Sequence, residues 1–255
     1  GVLNTGTPHT LQIVVDVNGA ANHAFEPEAN NVTIRGLSIV RSFRSEIDVD
    51  SANGANFTLD CSYIGVLPDG VTSYNSASDT GWNESIRIRN SSGFKMTNSL
   101  ASGHDAQSAD DGLLIHNMNG ASVTGSVFGL RPDGSTALGN GGDGIYILTS
   151  DNVTIGGTNA ADRNILSGNN AMGIGIYISD GATDVNIGNG LASGRNIISG
   201  NEQRTIRLQN GSTNVSINGN YLGIDATGNA LVLTGENATN SFANDGVVIA
   251  AGTFT

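Results

Sequence analysis

The chain has 255 residues, a formal net charge of −12 and a sequence pI near 4.4. Charged residues make up 13% of it, against about 25% in an average domain, which disfavours coiled coils and long surface helices. With 23 acidic and 11 basic residues, nucleic acid is not an expected partner. No apolar run reaches the roughly 18 residues of a membrane span, so membrane insertion is not expected. The 36 glycines, with abundant Asn, Ser and Thr, favour turns and strands over helix.

The two ends of the chain suggest a part of something larger. Residues 1–29 are predicted to form an N-terminal coil in which residues 11–17 alternate like an edge strand. The sequence stops at Thr255 soon after another strand-like run. We therefore expect a processed fragment or a subunit whose ends pair with another copy, end to end, as in a filament.

Short runs of alternating apolar residues recur along the chain. The first runs are separated by 39, 27, 32, 31, 30 and 41 positions, and they begin at Ile47, Ile86, Leu113, Ile145, Ile176, Ile206 and Val247. A second run follows each of the first six, as in Phe94-Lys95-Met96 and Val123-Thr124-Gly125. A third run is clearest in residues 163–169 and 195–201. The repeat is therefore about 30 residues long and carries three short strands.

A unit of this size cannot bury its apolar side alone and must stack on its neighbours. The strands are too short for a sandwich and no helix lies between them, so the sequence predicts one all-β domain: a three-faced parallel β-helix of about eight coils. Alternation points the aliphatic residues inward. Those predicted to face the interior are Ile145, Ile147, Val153, Ile155, Ile165, Ile176, Ile178, Val185, Ile187, Ile197, Ile206, Leu208, Val215 and Ile217.

Turns between strands recur at the same angular position, so their residues stack into columns. Asn tolerates a left-handed backbone and can hydrogen-bond the amide one coil away. His104 aligns with Asn169 and Asn201 and is predicted to replace an Asn in one such ladder. Extra residues form lateral loops at 65–83, 129–142 and 223–244, the first two with a Pro-Asp-Gly turn.

The segments 151–158, 195–201 and 221–228 resemble the right-handed parallel β-helix repeats of large secreted or cell-surface bacterial proteins, the pectate-lyase-like superfamily. The resemblance covers nearly the whole chain from about residue 25. It implies a right-handed coil and an extracellular or cell-surface location. It leaves activity open, because such repeats occur in polysaccharide lyases, epimerases, hydrolases, tailspikes and adhesins. By the same resemblance, the outward face of the first strands is where a substrate would bind.

That face carries the candidate ligand-binding residues. Tyr146 and Tyr177 are predicted to form a stacking platform for a sugar, with Arg87 and Arg207 for carboxylates. The first lateral loop adds Tyr74 and Trp82. The alternative is a solvated sheet face with compensating charges, on which Trp82 only covers the base of its loop.

An acidic group precedes the first strands at equivalent positions of consecutive coils. It comprises Glu84, Asp111 and Asp143, with Asp110 adjacent. Like charges at coil spacing repel, so we expect a bound Ca²⁺, with carbonyl oxygens from the turns, or raised pKa values. The alternative is that each Asp caps its own Asp-Gly turn.

Two classes of function follow. The main hypothesis is a non-catalytic extracellular module, such as a stalk, adhesin, fibre subunit or glycan-binding surface. The alternative is a lyase or epimerase that acts on an acidic polysaccharide, with Arg87, Arg89 and His116 as weak catalytic candidates. The motif orders of known pectin hydrolases and alginate epimerases are absent.

Overall fold

The computed structural model describes residues 2–73, 84–104, 110–170, 173–225, 227, 229 and 246–250. Within these residues the regular structure consists of strands and three short 3-10 turns, at Leu3–Thr5, Ala52–Gly54 and Ala160–Asp162. The strands form three sheets, one on each side of the coil, and every strand pair in them is parallel. The chain is a parallel β-helix, as its repeat predicts.

The first sheet contains β4 (Ile47–Asp50), β7 (Ile86–Arg89), β10 (Leu113–His116), β13 (Ile145–Leu148), β16 (Ile174–Ser179), β19 (Arg204–Leu208) and β22 (Val247–Ile249). The second sheet contains β2 (Thr33–Arg35), β5 (Thr58–Asp60), β8 (Ser92–Thr97), β11 (Asn119–Thr124), β14 (Asp151–Ile155), β17 (Thr183–Ile187) and β20 (Thr213–Ile217). The third sheet contains β1 (Ile13–Asp16), β3 (Leu37–Val40), β6 (Tyr63–Ile64), β9 (Leu100–Ala101), β12 (Val127–Phe128), β15 (Ile165–Ser167), β18 (Ile197–Ser199) and β21 (Tyr221–Leu222). Its eight strands agree with about eight coils.

The register of the first sheet follows the sequence repeat. Ile47 pairs with Ile86, and the ladder continues through the predicted first residues to Val247. One second-sheet strand differs, because β11 begins earlier than expected. Ala121 pairs with Phe94 and Val123 with Met96, so the prediction that placed Val123 opposite Phe94 was wrong by two residues. The shift conserves side-chain parity, and the polar segment before Ala121 hid the start of the strand.

The interior is a continuous aliphatic column with a few aromatic rings. Twelve of the fourteen residues predicted to point inward line it or pack against it, with Val215 and Ile217 only partly buried. Ile165 and Ile197 do not. They lie in a separate apolar cluster together with Tyr63 and Leu100, while Leu166 and Ile198 face the interior. The prediction for these two isoleucines was wrong because both faces of the third sheet are apolar, which removes the alternation that distinguishes them.

A segment near the N-terminus covers this outer cluster. Leu3 is completely buried in it. Asn4 Nδ2 donates hydrogen bonds to three carbonyl oxygens of the 3-10 turn region, those of Ala160, Ala161 and Arg163, at 2.8–3.0 Å. The backbone N–H of His9 donates to the Tyr63 hydroxyl at 2.7 Å. Residues 2–9 therefore lie along the outside of the third sheet across several coils.

The turns between the second and third sheets contain a buried polar column. Ser126 N–H donates to Asn164 Oδ1 at 2.9 Å, Asn164 Nδ2 to Asn196 Oδ1 at 3.1 Å, and Asn196 Nδ2 to Asn220 Oδ1 at 2.8 Å. Each amide also donates to an interior backbone carbonyl, as Asn164 does to Val123 at 2.8 Å. The predicted Asn ladders are confirmed here.

The two Pro-Asp-Gly turns are built alike. Asp133 Oδ1 accepts hydrogen bonds from the backbone N–H groups of Ser135 and Thr136, both at 2.8 Å, and Gly134 has a φ of 70°. Asp69 accepts from the equivalent groups of Val71 and Thr72 at 2.8 and 2.9 Å. These bonds hold the pKa of Asp133 and of Asp69 below the usual value, against burial, which would raise it.

Candidate functional site

The outer face of the first sheet carries two columns of side chains, because alternate residues of each strand point away from the interior. The first column contains Asp48, Arg87, Leu114, Tyr146, Tyr177, Arg207 and Val248. The second contains Asp50, Arg89, His116, Leu148 and Ser179, with Gln209 and Ala250 following β19 and β22. Neighbours in a column lie one coil apart, about 4.8 Å.

At the early coils this face is an ion-pair network. The Arg87 guanidinium binds Asp48 in a bidentate manner, with Nε–Oδ1 and Nη2–Oδ2 distances of 3.0 and 2.6 Å. Burial would raise the pKa of Asp48, but hydrogen bonds and charge from Arg87 bring the pKa below its usual value. Arg89 pairs with Asp50 at 2.7 Å and reaches Asp48 at 3.5 Å. The face therefore neutralises Arg87 internally, which is the alternative left open by the sequence for this residue.

His116 lies in the second column, and its register neighbour on β7 is Arg89. Burial and the positive charge of Arg89 lower the pKa of His116, and Asp50 opposes the shift. The imidazole is therefore neutral at pH 7 and can accept a proton. A neutral base beside a guanidinium is the pair of groups that the lyase alternative requires.

Tyr146 and Tyr177 stack on each other. Their ring centroids are 4.7 Å apart and the ring planes differ by 9°. The Arg207 guanidinium carbon lies 5.3 Å from the centroid of the Tyr177 ring. Because the rings stack along the column, their faces contact each other, and the guanidinium of Arg207 lies over the Tyr177 ring. A sugar on this sheet would meet ring edges and hydroxyl groups, which differs from the open stacking platform that the sequence suggested.

The tyrosine hydroxyls belong to a polar cluster that the sequence did not single out. Tyr146 OH lies 3.1 Å from Ser179 Oγ, and Gln209 Nε2 donates a hydrogen bond to Tyr177 OH. Burial raises the pKa of both tyrosines, so both hydroxyls remain protonated donors at neutral pH. The signal that could have found Ser179 and Gln209 is their shared parity in the second column.

Arg207 differs from the other two arginines of this face. Among the described residues it makes no ion pair, whereas Arg87 and Arg89 both pair with Asp48. Its Nε, like that of Arg89, is buried without a hydrogen-bond acceptor. Burial raises the pKa of Asp143, and the backbone N–H of Ile174 and the positive charge of Arg207 only partly oppose that rise. Arg207 is therefore the guanidinium on this face that can bind an external carboxylate.

The predicted acidic group is buried at the edge of the first sheet. Its members Glu84, Asp110, Asp111 and Asp143 are all less than 10% exposed. Asp111 Oδ1 accepts from the backbone N–H of Asp143 at 2.6 Å, and Asp143 Oδ1 accepts from that of Ile174 at 2.7 Å. Asp111 and Asp143 thus each accept a hydrogen bond from the next coil rather than from their own Asp-Gly turn.

Burial dominates the titration of these groups. It raises the pKa of Glu84, and together with the charge of Asp143 it raises the pKa of Asp111 well above its usual range. The pKa of Asp143 rises to about 7. Raised pKa values were one of the two outcomes that the sequence predicted for this acidic group. In the part of the chain that the structure describes, no three His, Cys, Asp or Glu side chains are grouped to hold a metal ion. The calcium site stays a prediction.

Three residues singled out in the sequence remain: His104, in a turn ladder, and Tyr74 and Trp82, in the first lateral loop. His104 lies in the ladder with Asn140 and Asn169, as its alignment predicted, and its Nε2 is 2.7 Å from Glu46 Oε2. Tyr74 and Trp82 lie outside the described residues. None of the helices in the described residues is long and apolar enough to cross a membrane.

Comparison with solved structures finds similarity to crystal structures of the periplasmic alginate epimerase AlgG and of a point mutant of it. The TM-scores are 0.45 and 0.46, each at 10% sequence identity over 91% of this chain. The chain spans about half the length of those structures, 47% and 48%. No family model matches the sequence, and no curated protein matches it. The likeness is one of fold.

Proposed function

We propose that this protein is an extracellular or cell-envelope β-helix module that binds an acidic polysaccharide along the outer face of the first sheet. The observation that carries the proposal is the cluster formed by Arg207, Tyr146 and Tyr177. It places a guanidinium without an ion-pair partner among the described residues 5.3 Å from the Tyr177 ring, and the hydroxyls of the two stacked tyrosines lie beside it on the same face.

The chemistry of this cluster fits a uronate unit. A carboxylate pairs well with the fork of a guanidinium, and sugar hydroxyls exchange hydrogen bonds with phenols, Ser179 and the Gln209 amide. The chain of binding groups follows the column, so the polysaccharide would run parallel to the rod axis. Since the protein carries a net charge of −12, this local cation supplies attraction that the molecule as a whole does not.

The test is binding of alginate, pectate and glycosaminoglycan oligosaccharides by calorimetry, with Arg207→Gln against wild type. We expect the substitution to weaken binding about tenfold or more, which corresponds to loss of one charge-assisted contact. Lys95→Gln is the matched control, because Lys95 is exposed on the second sheet and the variant has the same net charge. Equal affinities for the two variants would contradict the proposal.

A second candidate function is a lyase or epimerase reaction on the same polysaccharide, and the neutral His116 beside Arg89 favours it. His116 would take the proton from the carbon next to the uronate carboxylate, and Arg89 would stabilise the negative charge that develops there. In an epimerase a proton from water would then reach the opposite face of that carbon, and the protonated His116 would return its proton to solvent. In a lyase the bond to the leaving oxygen breaks instead, and that oxygen takes the proton from His116 and leaves as a hydroxyl group.

The two outcomes have different products. Elimination gives an unsaturated uronate that absorbs in the ultraviolet, and epimerisation changes the ratio of the two uronates without chain cleavage. We expect His116→Ala to abolish either activity while Arg207→Gln raises KM. If the wild-type protein binds these polysaccharides but turns over none of them, the catalytic candidate is rejected and the binding function remains.

A further inference from the structure

A groove of about 340 Å³ lies at the corner between the first and second sheets. It follows directly after Arg89 and His116 in the chain and crosses four consecutive coils. Most of the residues that line it are polar, and the lining includes Ala52, Ser91, Asn117, Asn119, Thr149 and Asp151. The sequence did not mark this corner as a binding site.

The groove lies where an outer ladder of side chains is interrupted. Asn90 Nδ2 donates to Asp50 Oδ1 at 2.6 Å, and Asn117 Nδ2 donates to Asn90 Oδ1 at 2.8 Å. The next residue of this column is Thr149, whose hydroxyl donates onward to the Asp180 carbonyl at 3.1 Å. Thr149 holds a φ of 49°, which is unfavourable for a β-branched residue and which Asn would tolerate better.

The interruption leaves hydrogen-bonding groups open toward the groove. Among the described residues, Asn117 Oδ1 accepts no hydrogen bond, since Thr149 directs its hydroxyl elsewhere. Asn119 accepts from Asn152 at 2.9 Å and keeps its own amide hydrogens for another acceptor. Ser91 Oγ is buried and has no hydrogen-bond partner. The exposed Asp151 carboxylate lies at the same wall.

We propose that this corner groove is a sugar subsite that recognises a pair of vicinal hydroxyl groups. The hydroxyls would donate to Asn117 Oδ1 and the Asp151 carboxylate, and would accept from the Asn119 amide and Ser91. The groove offers neutral amides, hydroxyls and one carboxylate, which disfavour an anionic ligand group. This subsite would therefore bind the hydroxyl groups of the sugar and not its carboxylate. The inference rests on the proposed function in that the same polysaccharide, lying along the first sheet, would reach both places.

The experiment follows the side-chain amide signals of Asn117 and Asn119 by NMR during titration with two probes. The first is an oligomannuronate, and the second is the same oligosaccharide with its carboxylates reduced to hydroxymethyl groups. We expect both probes to shift the two amide signals. Ala52→Trp, which places a ring in the groove from an exposed position, should weaken the neutral probe's binding about tenfold or more. Thr154→Trp, exposed on the second sheet, is the matched control.

Absence of these shifts with both probes at millimolar concentration would overturn the groove proposal, whether or not Arg207-dependent binding is seen. Equal binding of the neutral probe by the two tryptophan variants would overturn it as well. Shifts that persist in Arg207→Gln, together with an affinity for the acidic probe that Arg207→Gln leaves unchanged, would support the groove and reject the proposed function. The melting temperature of each variant checks that the fold is retained.

Discussion

Two buried polar columns lie close together in the turns between the third sheet and the first. They differ in how their buried polar groups are hydrogen-bonded. One runs through Glu46, His104, Asn140, Asn169 and Asn201. Its last four members lie on consecutive coils, and Glu46 lies two coils before His104. The other contains the carboxyl groups of Glu84, Asp111 and Asp143. Amides both donate and accept, so identical residues can pair along a column. Ionised carboxylates only accept, so identical residues repel.

The consequence is visible in the partners of each column. Asn140 Nδ2 donates to Asn169 Oδ1 at 3.0 Å and also to the Ala101 carbonyl at 3.1 Å. In the carboxyl column the links come from backbone N–H groups alone, and both Glu84 oxygens are buried without a hydrogen-bond partner among the described residues. Both oxygens of Glu46, the acid that ends the amide column, also lack such a partner, although His104 Nε2 lies 2.7 Å from one of them. The difference between the columns therefore lies in the amides, which are linked to one another. A satisfied buried network stabilises a fold, whereas an incompletely satisfied one costs stability. This comparison yields four predictions.

The largest effect is expected where the amide column ends in an acid. Glu46→Ala removes the completely buried partner of His104 and should lower the free energy of unfolding by about 3 to 5 kcal/mol. Urea unfolding measures it. Glu46→Gln retains a hydrogen-bonding group at this position and should recover part of the loss. Equal destabilisation by the two variants would mean that cavity formation, rather than loss of the pair, dominates.

Asn169→Leu interrupts the amide column at its centre. The variant removes the hydrogen bond that Asn169 Nδ2 donates to Asn201 Oδ1 at 2.8 Å, and it removes the oxygen that accepts from Asn140 Nδ2 at 3.0 Å. The backbone N–H of residue 169 can still donate to Asn201 Oδ1. We expect a loss of about 2 to 3 kcal/mol in the free energy of unfolding, because a buried polar group loses its partner. Asn31→Gly, which removes an exposed contact between two Asn side chains, is the control. If Asn169→Leu costs less stability than Asn31→Gly, the buried ladder contributes little.

In the carboxyl column, a substitution that removes a charge should stabilise the fold, whereas the substitutions in the amide column destabilise it. Because the folded pKa of Asp143 is raised to about 7 from 3.8, the folded state binds more protons, and stability falls as pH rises from about 4 to about 7. Asp143→Asn can still accept from Ile174 and removes the charge. It should raise the melting temperature above pH 7, because no buried carboxylate ionises there in the variant, with little change at pH 4. A melting temperature that rises with pH in wild type would contradict this assignment.

The smallest effect is expected where the same amide contact is exposed. Asn56 Nδ2 donates to Asn31 Oδ1 at 3.0 Å on the surface, and Asn31 has a φ of 61°. Asn31→Gly keeps that backbone conformation and removes the contact, so we expect a change below about 0.5 kcal/mol in the free energy of unfolding. A larger loss would show that ladders stabilise the coil regardless of burial.

The coil can be derived from the amino-acid sequence alone. A repeat of aliphatic residues at fixed parity specifies which side of each strand is buried, and the first-sheet register follows from it without exception. The turn residues were equally readable, because left-handed positions select Asn and Gly, and the place of His104 in its ladder follows from alignment alone. These features depend on interactions between equivalent positions, which a repeat displays directly.

Contacts that do not follow the repeat depend on how distant parts of the chain pack together. The orientation of Ile165 and Ile197 depends on residues 2–9, which cover the third sheet from a distant part of the chain. The engagement of Arg87 by Asp48, and the stacking of Tyr146 on Tyr177, depend on side-chain conformations that parity does not specify. The corner groove exists because Thr149 interrupts a column across coils. Parity tells which side of the sheet a residue occupies, but partners on that side are chosen by packing and charge in three dimensions.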